Sequence, residues 1–406
     1  PRRPPAPERP LALLAFFLSG LLFTSLLTTG NLNFTLPGIS SHFEGFVVGI
    51  LEAAWFGLVP IGAGLMRARV VDARLPLALL TAGAVAAGSW VLLEAYGSGA
   101  FTLFAAGQQG HNLAGTLGHQ AYVAAFTGVA LSFWVVRHAL RGPLSPLHVL
   151  VSAVLMAALV ASGGRAGLLA TLFVLAVATA YAWRHGRGKQ AVALLLPVLA
   201  VGGLVTLTSH HAQKRVARIG TAIQGEDGSV NHRFIFWDIA QQAILDRPLA
   251  GYGAYALHYL AWEYASPEEA RALLTEFLPR ELAEQAVRIG KLAFYADPES
   301  GTLRVRVMNP YGVHNYLLDM ALAHGLPTMV MFLAFLLSTA SSLYRARTPV
   351  ALAALAALGT YLLYGMFWFP TINVDPMIWG LVGIGLAAAG EPLAPASGER
   401  AAPETR

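Results

Sequence analysis

The sequence contains no cysteine and few charged residues, and both absences limit what the chain can be. Without cysteine there is no thiol nucleophile, no cysteine-bound metal and no disulfide. Asp, Glu, Lys and Arg together make up only 12% of the residues. Soluble domains usually carry roughly 25% charged residues. The composition therefore argues against an ordinary soluble globular protein.

Hydrophobic residues instead make up 56% of the chain. They recur in runs of about 20 residues, which is the length that spans a bilayer as a helix with every backbone group satisfied internally. We predict an all-α fold, a polytopic transmembrane helical bundle of about ten spans. The predicted spans are 11–29, 45–66, 75–93, 119–137, 146–162, 166–183, 190–208, 314–340, 349–369 and 375–390.

Basic residues predict the orientation of these spans, because short cytoplasmic loops are enriched in Lys and Arg. Arginine clusters precede the first span and follow the second, fourth, sixth and eighth spans, whereas the opposite loops at 30–44 and 94–118 contain neither Lys nor Arg. The pattern predicts that both termini are cytoplasmic and that the long polar segment lies outside. We expect a seven-span bundle at 1–208, a large outer loop at 209–313, further spans at 314–390 and a disordered cytoplasmic tail at 391–406.

The large outer loop is rich in aromatic residues and Leu, which predicts a folded segment. We expect a helix capped by Asn231 and running to about Leu245. Ser266 and Glu269 form a predicted capping box at the start of a further helix. An amphipathic helix is predicted from Glu281 to about Phe294, followed by a strand or extended segment at Leu303–Met308.

Arginines on the outer side of the membrane are the first candidates for binding. Arg165 lies between spans five and six, on the side that normally avoids basic residues. The loop adds Lys214, Arg215, Arg218 and Arg233. Guanidinium groups bind phosphate oxygens through paired hydrogen bonds, so this rim predicts an anionic partner, and a diphosphate lipid head group fits better than a carboxylate. The alternative for Arg165 is an arginine that caps a helical hairpin and extends to the membrane surface.

His314 is the candidate proton acceptor, because the unperturbed pKa of histidine is about 6.5. It is expected to begin a helix, whose N-terminus favours the neutral ring. Asp319, one turn further, is expected to orient a polar partner or to pair with an arginine. His119, Asn315 and Trp237 are possible supporting residues. The alternative for His314 is an interfacial histidine hydrogen-bonded to the backbone.

Four short segments resemble motifs of the O-antigen ligase superfamily, which includes O-antigen polymerases and bacterial protein O-oligosaccharyltransferases. The segment Gly163–Ala170 is similar to a Ser-Arg-x-x-x-Leu motif, and Asn231–Gly253 to an Arg-x-x-x-Trp…His-Pro-Leu-x-Gly-x-Gly stretch. His314–Leu326 resembles a His-Asn-x-x-Leu…Glu-x-Gly-Leu segment, and Ala114–Ala124 a Gly-Thr-x-Gly-x-x-Asn-x-x-Ala run. Four positions depart from these motifs: Ala121 replaces Asn, Gly164 replaces Ser, Arg247 replaces His, and His324 replaces Glu.

The resemblance implies a GT-C-like bundle in the bacterial inner membrane, with the active site facing the periplasm. It implies an inverting glycosyltransferase of lipopolysaccharide biosynthesis, with no cofactor, no metal and no nucleic acid partner. The donor would be a glycan on undecaprenyl diphosphate, and the acceptor would be lipid A core. Membrane lipids would surround the protein as further partners. His314 would deprotonate the acceptor hydroxyl. Arg165 and Arg233, with Arg215 or Arg218, would hold the diphosphate.

Other functions stay open at this point. An O-antigen polymerase or a protein O-oligosaccharyltransferase would use the same donor with another acceptor. A transporter of lipid-linked sugar would also need arginines in a cavity, and Glu52 and Asp319 are its candidate residues. The aromatic residues of the loop can stack on sugars or simply pack at the membrane interface. They are Trp237, Tyr252, Tyr255 and Tyr311.

Overall fold

The computed structural model describes residues 8–28, 44–70, 72–97, 115–223, 228–254, 256–289, 292–298, 300–307, 310, 312–368 and 373–390. Helices occupy most of these residues. They are α1 (Glu8–Thr28), α2 (Glu44–Arg67), α3 (Arg74–Tyr96), α4 (Gln120–Arg141), α5 (Pro146–Ser162), α6 (Arg165–Arg184), α7 (Gly188–Thr208), α8 (His210–Ile223), α9 (Gly228–Asp246), α10 (Leu257–Tyr264), α11 (Pro267–Phe277), α12 (Arg280–Gln285), α13 (Tyr316–Ala346), α14 (Pro349–Gly365) and α15 (Asp375–Gly390).

A helix forms at each of the ten predicted spans, as α1–α7 and α13–α15. Among the described helices, α1, α3, α4, α6, α7 and α13 are long and apolar enough to cross a membrane. The shorter helices α5, α14 and α15 are also apolar. The prediction of an all-α, multi-pass membrane protein is therefore confirmed.

Helix α4 lies at the centre of the bundle, where it packs against α3, α5, α6 and α14. Its buried positions include small residues such as Ala124, Ala125 and Gly128, which let helices approach closely inside a bilayer. One buried hydrogen bond of 2.7 Å joins the Ser132 hydroxyl to the Thr360 hydroxyl and so connects α4 to α14. The bundle core thus forms a rigid support beneath the loops at the end where α4 begins.

Helix α13 is broken at Gly325, whose φ of 80° and ψ of 165° are not helical. Pro327 has no N–H and cannot bond to the carbonyl of Ala323 as a helix would require. The N–H of Gly253 donates to that carbonyl instead, at 2.9 Å, and the N–H of Tyr252 donates to Leu322 O at 2.8 Å. The loop after α9 therefore satisfies the carbonyls that the break leaves without helical partners.

The break has a strict steric requirement. A Cβ atom at Gly325 would collide with the carbonyl of Leu249, and one at Gly251 would lie 2.6 Å from Leu322 O. Both glycines also have positive φ, which an L-residue adopts only with strain. The segment that resembled Pro-Leu-x-Gly-x-Gly is thus a docking element for α13. It fixes the N-terminal part of α13, where His314 leads into the helix, against α9.

The described parts of the large loop are mainly helical, with two differences from the predictions. Helix α9 begins at Gly228, so Asn231 lies within the helix and does not cap it. The predicted helix from Glu281 ends at Gln285, because the β-branched and aromatic residues that follow form strands. Three antiparallel strands result: β1 (Val287–Ile289), β2 (Leu292–Ala296) and β3 (Leu303–Val307).

Other local predictions for this segment are confirmed. The capping box of α11 is present: Glu269 N donates to the Ser266 hydroxyl at 3.3 Å, and Ser266 N donates to the Glu269 carboxylate at 2.9 Å. Strand β3 occupies the predicted extended segment. These features depend on residues that are close together in sequence, which is why they could be predicted.

Candidate functional site

The loop before α13 holds His314 in an uncommon backbone conformation, with φ at 57°. Side chains from the first turn of the helix fix both of its neighbours. Asn315 caps α13 by accepting from Leu317 N at 3.1 Å and Leu318 N at 3.2 Å. The Asp319 carboxylate accepts from Val313 N at 3.0 Å. A non-glycine residue held at positive φ by its surroundings is typical of functional sites.

These contacts refine three predictions. The helix begins at Tyr316, so the expectation that His314 begins it is wrong: His314 precedes the capping residue. Asn315 acts as the cap. Among the described residues, Asp319 is seen bonded to the backbone beside His314 and in no ion pair with an arginine. Both polar residues hold the His314 loop in place.

The imidazole of His314 is oriented by a backbone carbonyl and two aromatic rings. Its Nδ1–H donates to Gly312 O at 3.0 Å, so the neutral ring carries its basic lone pair on Nε2. Phe236 stacks nearly parallel to it, with the centroids 6.0 Å apart and the planes at 10°. Trp368 meets it edge-on, with the centroids 4.9 Å apart.

Burial is the main cause that lowers the pKa of His314, to about 3. The charge of Arg233 and, more weakly, His119 act in the same direction, while the hydrogen bond to Gly312 opposes them. A cation nearby disfavours a second positive charge on the ring. His314 is therefore neutral at neutral pH but a weak base in the unliganded protein, and Arg233 and His119 both lie within electrostatic range of it.

Trp368, in the segment after α14, connects these residues. Its ring stacks on His119 with the centroids 5.3 Å apart and the planes at 29°. The guanidinium carbon of Arg233 lies 6.0 Å from the indole centroid, within cation–π range. Three separate parts of the chain thus meet on one indole: the loop before α4, helix α9 and the His314 loop.

Trp368 was not predicted as a site residue because it falls inside predicted span nine. An aromatic residue in a span is ordinarily interpreted as packing within the membrane. The available signal was the run Phe367-Trp368-Phe369 at the C-terminal end of that span. Aromatic residues are common there in any membrane protein, so the run could not be distinguished from an interfacial belt.

Arg165 and Arg215 form the other side of the candidate site. Arg165 is the first residue of α6, Arg215 lies on α8, and both line one small cavity together with Gly163 and Ala212. A Cβ at Gly163 would lie 2.6 Å from Arg215 Cγ, so the arginine stem packs directly on this glycine. Gly163 caps the C-terminal end of α5 with φ at 71°. Glycine is favoured at this position because it adopts positive φ without strain and because it is the usual residue at a helix C-terminus.

His119 links the two sides. Its Nδ1 accepts from Ala121 N at 3.1 Å, so it caps α4. Burial lowers the pKa of His119, and the charge of Arg215 lowers it further. His119 therefore lies within electrostatic range of Arg215 and stacks on Trp368. A shared cavity, this electrostatic range and ring contacts connect the site residues, which are Arg165, Arg215, His119, Trp368, His314 and Arg233.

Gly164 stands where the similar motif has Ser, and the structure gives a reason. A Cβ at this position would collide with the Cβ of Ala124. A Cβ at Gly167 would lie 2.8 Å from the same atom. The start of α6 packs on α4 without space for a side chain, which places Arg165 beside the first turn of α4.

Trp237 lies one turn after Arg233 on α9 and shares its face. Its ring contacts Phe234, with the centroids 5.3 Å apart, and Phe367, with the centroids 6.4 Å apart. Its indole N–H is buried and has no hydrogen-bond partner in the part of the chain that the structure describes. A buried donor of this kind is suited to an acceptor on a ligand.

The remaining predicted residues contribute less. Tyr252 is buried, and its hydroxyl contacts that of Tyr264 at 2.7 Å, so the expectation that it stacks on a sugar is not supported. The side chain of Arg218, and Tyr255 and Tyr311, lie outside the described residues. No group of three His, Asp or Glu residues that could hold a metal is found in the described ranges.

Residues 150–277 match a protein-family model described as O-antigen ligase. The match runs from within α5 to the end of α11 and includes Arg165, Arg215 and Arg233; His314 lies beyond it. A search of curated proteins finds no match. The matched region thus contains the arginines on both sides of His119.

Proposed function

We propose that the chain is an inverting glycosyltransferase acting on a lipid-diphosphate donor, because residues 150–277 match the family model described as O-antigen ligase. The match supports a membrane glycosyltransferase of the O-antigen ligase or polymerase type. We further propose that the donor is a glycan on undecaprenyl diphosphate and the acceptor lipid A core. The reaction would take place at the periplasmic face of the bacterial inner membrane.

The proposed reaction is a single displacement. The acceptor hydroxyl oxygen attacks the anomeric carbon of the donor sugar, and the bond from that carbon to the diphosphate oxygen breaks. The hydroxyl proton passes to Nε2 of His314. Undecaprenyl diphosphate leaves with the bonding electron pair, so the configuration at the anomeric carbon inverts. The diphosphate is already a good leaving group, so no nucleotide is required.

The arginines would bind the diphosphate and stabilise the negative charge that develops on it. Arg233 lies on the His314 side, and Arg165 and Arg215 on the other. This arrangement also affects the base. Bound diphosphate offsets the positive charge of Arg233, which raises the pKa of His314 from its low value in the unliganded protein. The donor would thereby make its own proton acceptor more basic.

One observation carries the proposal: Arg233, His119 and His314 converge on Trp368, in the segment after α14. A proton acceptor beside fixed cations is what the displacement requires. Neither feature is needed merely to pack helices in a membrane, where ionisable residues are usually functional.

The test uses the full chain in nanodiscs with an undecaprenyl-diphosphate-linked glycan and a choice of acceptors. Lipid A core, a second lipid-linked glycan and a Ser/Thr-containing protein are offered separately, and products are identified by mass spectrometry. Transfer to lipid A core supports the ligase, and transfer to another acceptor supports a polymerase or a protein glycosyltransferase. We expect His314→Ala to reduce turnover by about 100-fold or more. His185→Ala is the matched control, because His185 follows the C-terminal end of α6, whereas Arg165 begins that helix.

Transport of lipid-linked sugar is a second candidate, because one buried ionisable pair lies within the bundle. His324 Nε2 is 3.5 Å from the Glu52 carboxylate, and His324 Nδ1 is 3.0 Å from the Thr24 hydroxyl. Intramembrane ionisable residues often mark transport paths. Movement of labelled donor across vesicles without any acceptor, abolished by Glu52→Gln but not by His314→Ala, would favour this function and contradict glycosyl transfer.

A further inference from the structure

A second cluster of basic residues lies at the C-terminal end of α4, at the opposite end of that helix from His119. Arg137, His138 and Arg141 are in its last turns, and His148 is in the first turn of α5. The rings of His138 and His148 are 4.0 Å apart, and Trp134 lies 4.0 Å from His138. Both guanidinium groups lie within electrostatic range of the two imidazoles.

Hydrogen bonds fix both imidazole rings. His138 Nδ1–H donates to Trp134 O at 2.8 Å, and His148 Nδ1 accepts from Ser145 N at 3.0 Å. Because Nδ1 of His148 accepts, its proton lies on Nε2, which is a hydrogen-bond donor in every protonation state. Within the described residues, the Nε2 atoms of these two histidines make no hydrogen bond.

Arg137 is the decisive member of the cluster. It is only 8% exposed, and its Nε has no hydrogen-bond partner in the described part of the chain. Over the same residues, neither Arg137 nor the exposed Arg141 forms an ion pair with a carboxylate. A guanidinium stays charged when buried, and burying it beside other basic groups is costly unless an anion compensates.

The apolar surroundings indicate where that anion comes from. Leu147 and Leu150, on either side of His148 along α5, are each 60% exposed. In a helix of a multi-pass membrane protein, exposed leucines of this kind contact lipid chains. Phosphate head groups lie at the level where such helices end, and basic pockets between spans are suited to them.

We propose that Arg137, Arg141 and His148 bind the phosphate of an anionic phospholipid, whose acyl chains lie along Leu147 and Leu150. The charge pattern predicts that this end of α4 is cytoplasmic, so the lipid belongs to the inner leaflet. Phosphate supplies acceptors for the guanidinium groups and for His148 Nε2, and its negative charge offsets the clustered cations. The site is separate from the proposed glycosyl transfer and does not depend on it.

The experiment measures phosphatidylglycerol retained on the purified full chain in a phosphatidylcholine background, by native mass spectrometry. We expect R137Q and R141Q each to weaken retention by about tenfold, the effect of losing one charge-assisted hydrogen-bonded contact. R184Q with R187Q, exposed arginines at the same predicted membrane side, should retain lipid as the wild type does. Gel filtration checks folding, and R141Q keeps the test valid if R137Q does not fold.

Three outcomes would overturn the proposal. Equal loss in the Arg184/Arg187 control would mean that only the general positive charge of this side attracts lipid. Displacement by millimolar inorganic phosphate, with no preference for phosphatidylglycerol over free phosphate, would identify a soluble anion as the ligand. Unchanged retention of phosphatidylglycerol in R137Q and R141Q would show that these arginines do not bind lipid.

Discussion

The indole of Trp368 meets the imidazole of His314 edge-on, with ring centroids 4.9 Å apart and planes at 88°. Trp368 also stacks on His119 and lies under the guanidinium of Arg233. Its position excludes water from one side of His314. Because burial is the largest cause of the lowered pKa of His314, we expect Trp368 to lower the basicity of the proposed proton acceptor without taking part in proton transfer.

Trp368→Ala should raise the pKa of His314, since water can then reach the imidazole. Arg233 and His119, the charged and titratable groups that act on the ring, remain in place. The ring is neutral above its pKa, so a higher pKa reduces the neutral fraction at acid pH. We expect the acid limb of the kcat/KM profile to move from near pH 3 towards neutral pH, with lower turnover at pH 5 than at pH 8.

Trp183→Ala is the matched control for this change, because Trp183 is an exposed tryptophan at the far end of α6. Its pH profile should equal that of the wild type. Trp368→Phe keeps an aromatic ring, so its pH profile should lie between those of the wild type and Trp368→Ala. A Trp368→Ala protein that is folded and has an unchanged pH profile would refute the positioning role and leave the proposed glycosyl transfer intact.

Arg233→Gln should have two separable effects. Loss of one charge-assisted contact weakens donor binding by about 10- to 100-fold. Loss of the positive charge also raises the pKa of His314, because Arg233 is the second cause of its depression. Arg233→Lys keeps the charge but loses the paired hydrogen bonds. It should therefore weaken binding while leaving the pH profile near that of the wild type.

Donor binding is measured with a non-transferable lipid diphosphate, and basicity from the pH dependence of kcat/KM. Arg271→Gln, an exposed arginine of α11 in the same polar segment, is the control for net charge. If Arg271→Gln weakened binding as much as Arg233→Gln, long-range attraction would explain the result and a diphosphate contact at Arg233 would be wrong.

Gly164→Ser, which restores the residue of the similar motif, should destabilise this protein. The new Cβ would collide with Ala124, and overpacking a close helix contact costs about 1–3 kcal/mol. The double variant Gly164→Ser with Ala124→Gly opens the space and should recover most of the loss. Thermal unfolding in detergent measures both.

Gly203→Ser, on α7, has no atom within 4 Å of the added Cβ and serves as the control. A Gly164→Ser protein as stable as the wild type would mean that α4 and α6 can separate without cost, and that the position of Arg165 does not depend on their close contact.

Local patterns account for the parts of the structure that the sequence predicted. Apolar runs of about 20 residues identify membrane helices, because a lipid environment requires every backbone group to be bonded within the segment. The capping box at Ser266 and Glu269 is equally local. The predicted helix up to Phe294 was wrong because strand pairing with β3 competes with helix formation there.

The sequence alone determined the class of protein, the membrane helices and the candidate residues His314, Arg165, Arg215 and Arg233, since these follow from composition, charge placement and short motifs. Only the tertiary structure decided that Trp368 joins His119, Arg233 and His314, and that Asn315 and Asp319 hold the His314 loop. The physical reason is that ring contacts and burial depend on segments that are far apart in the chain. No periodicity or spacing in the sequence indicates which of those segments come into contact.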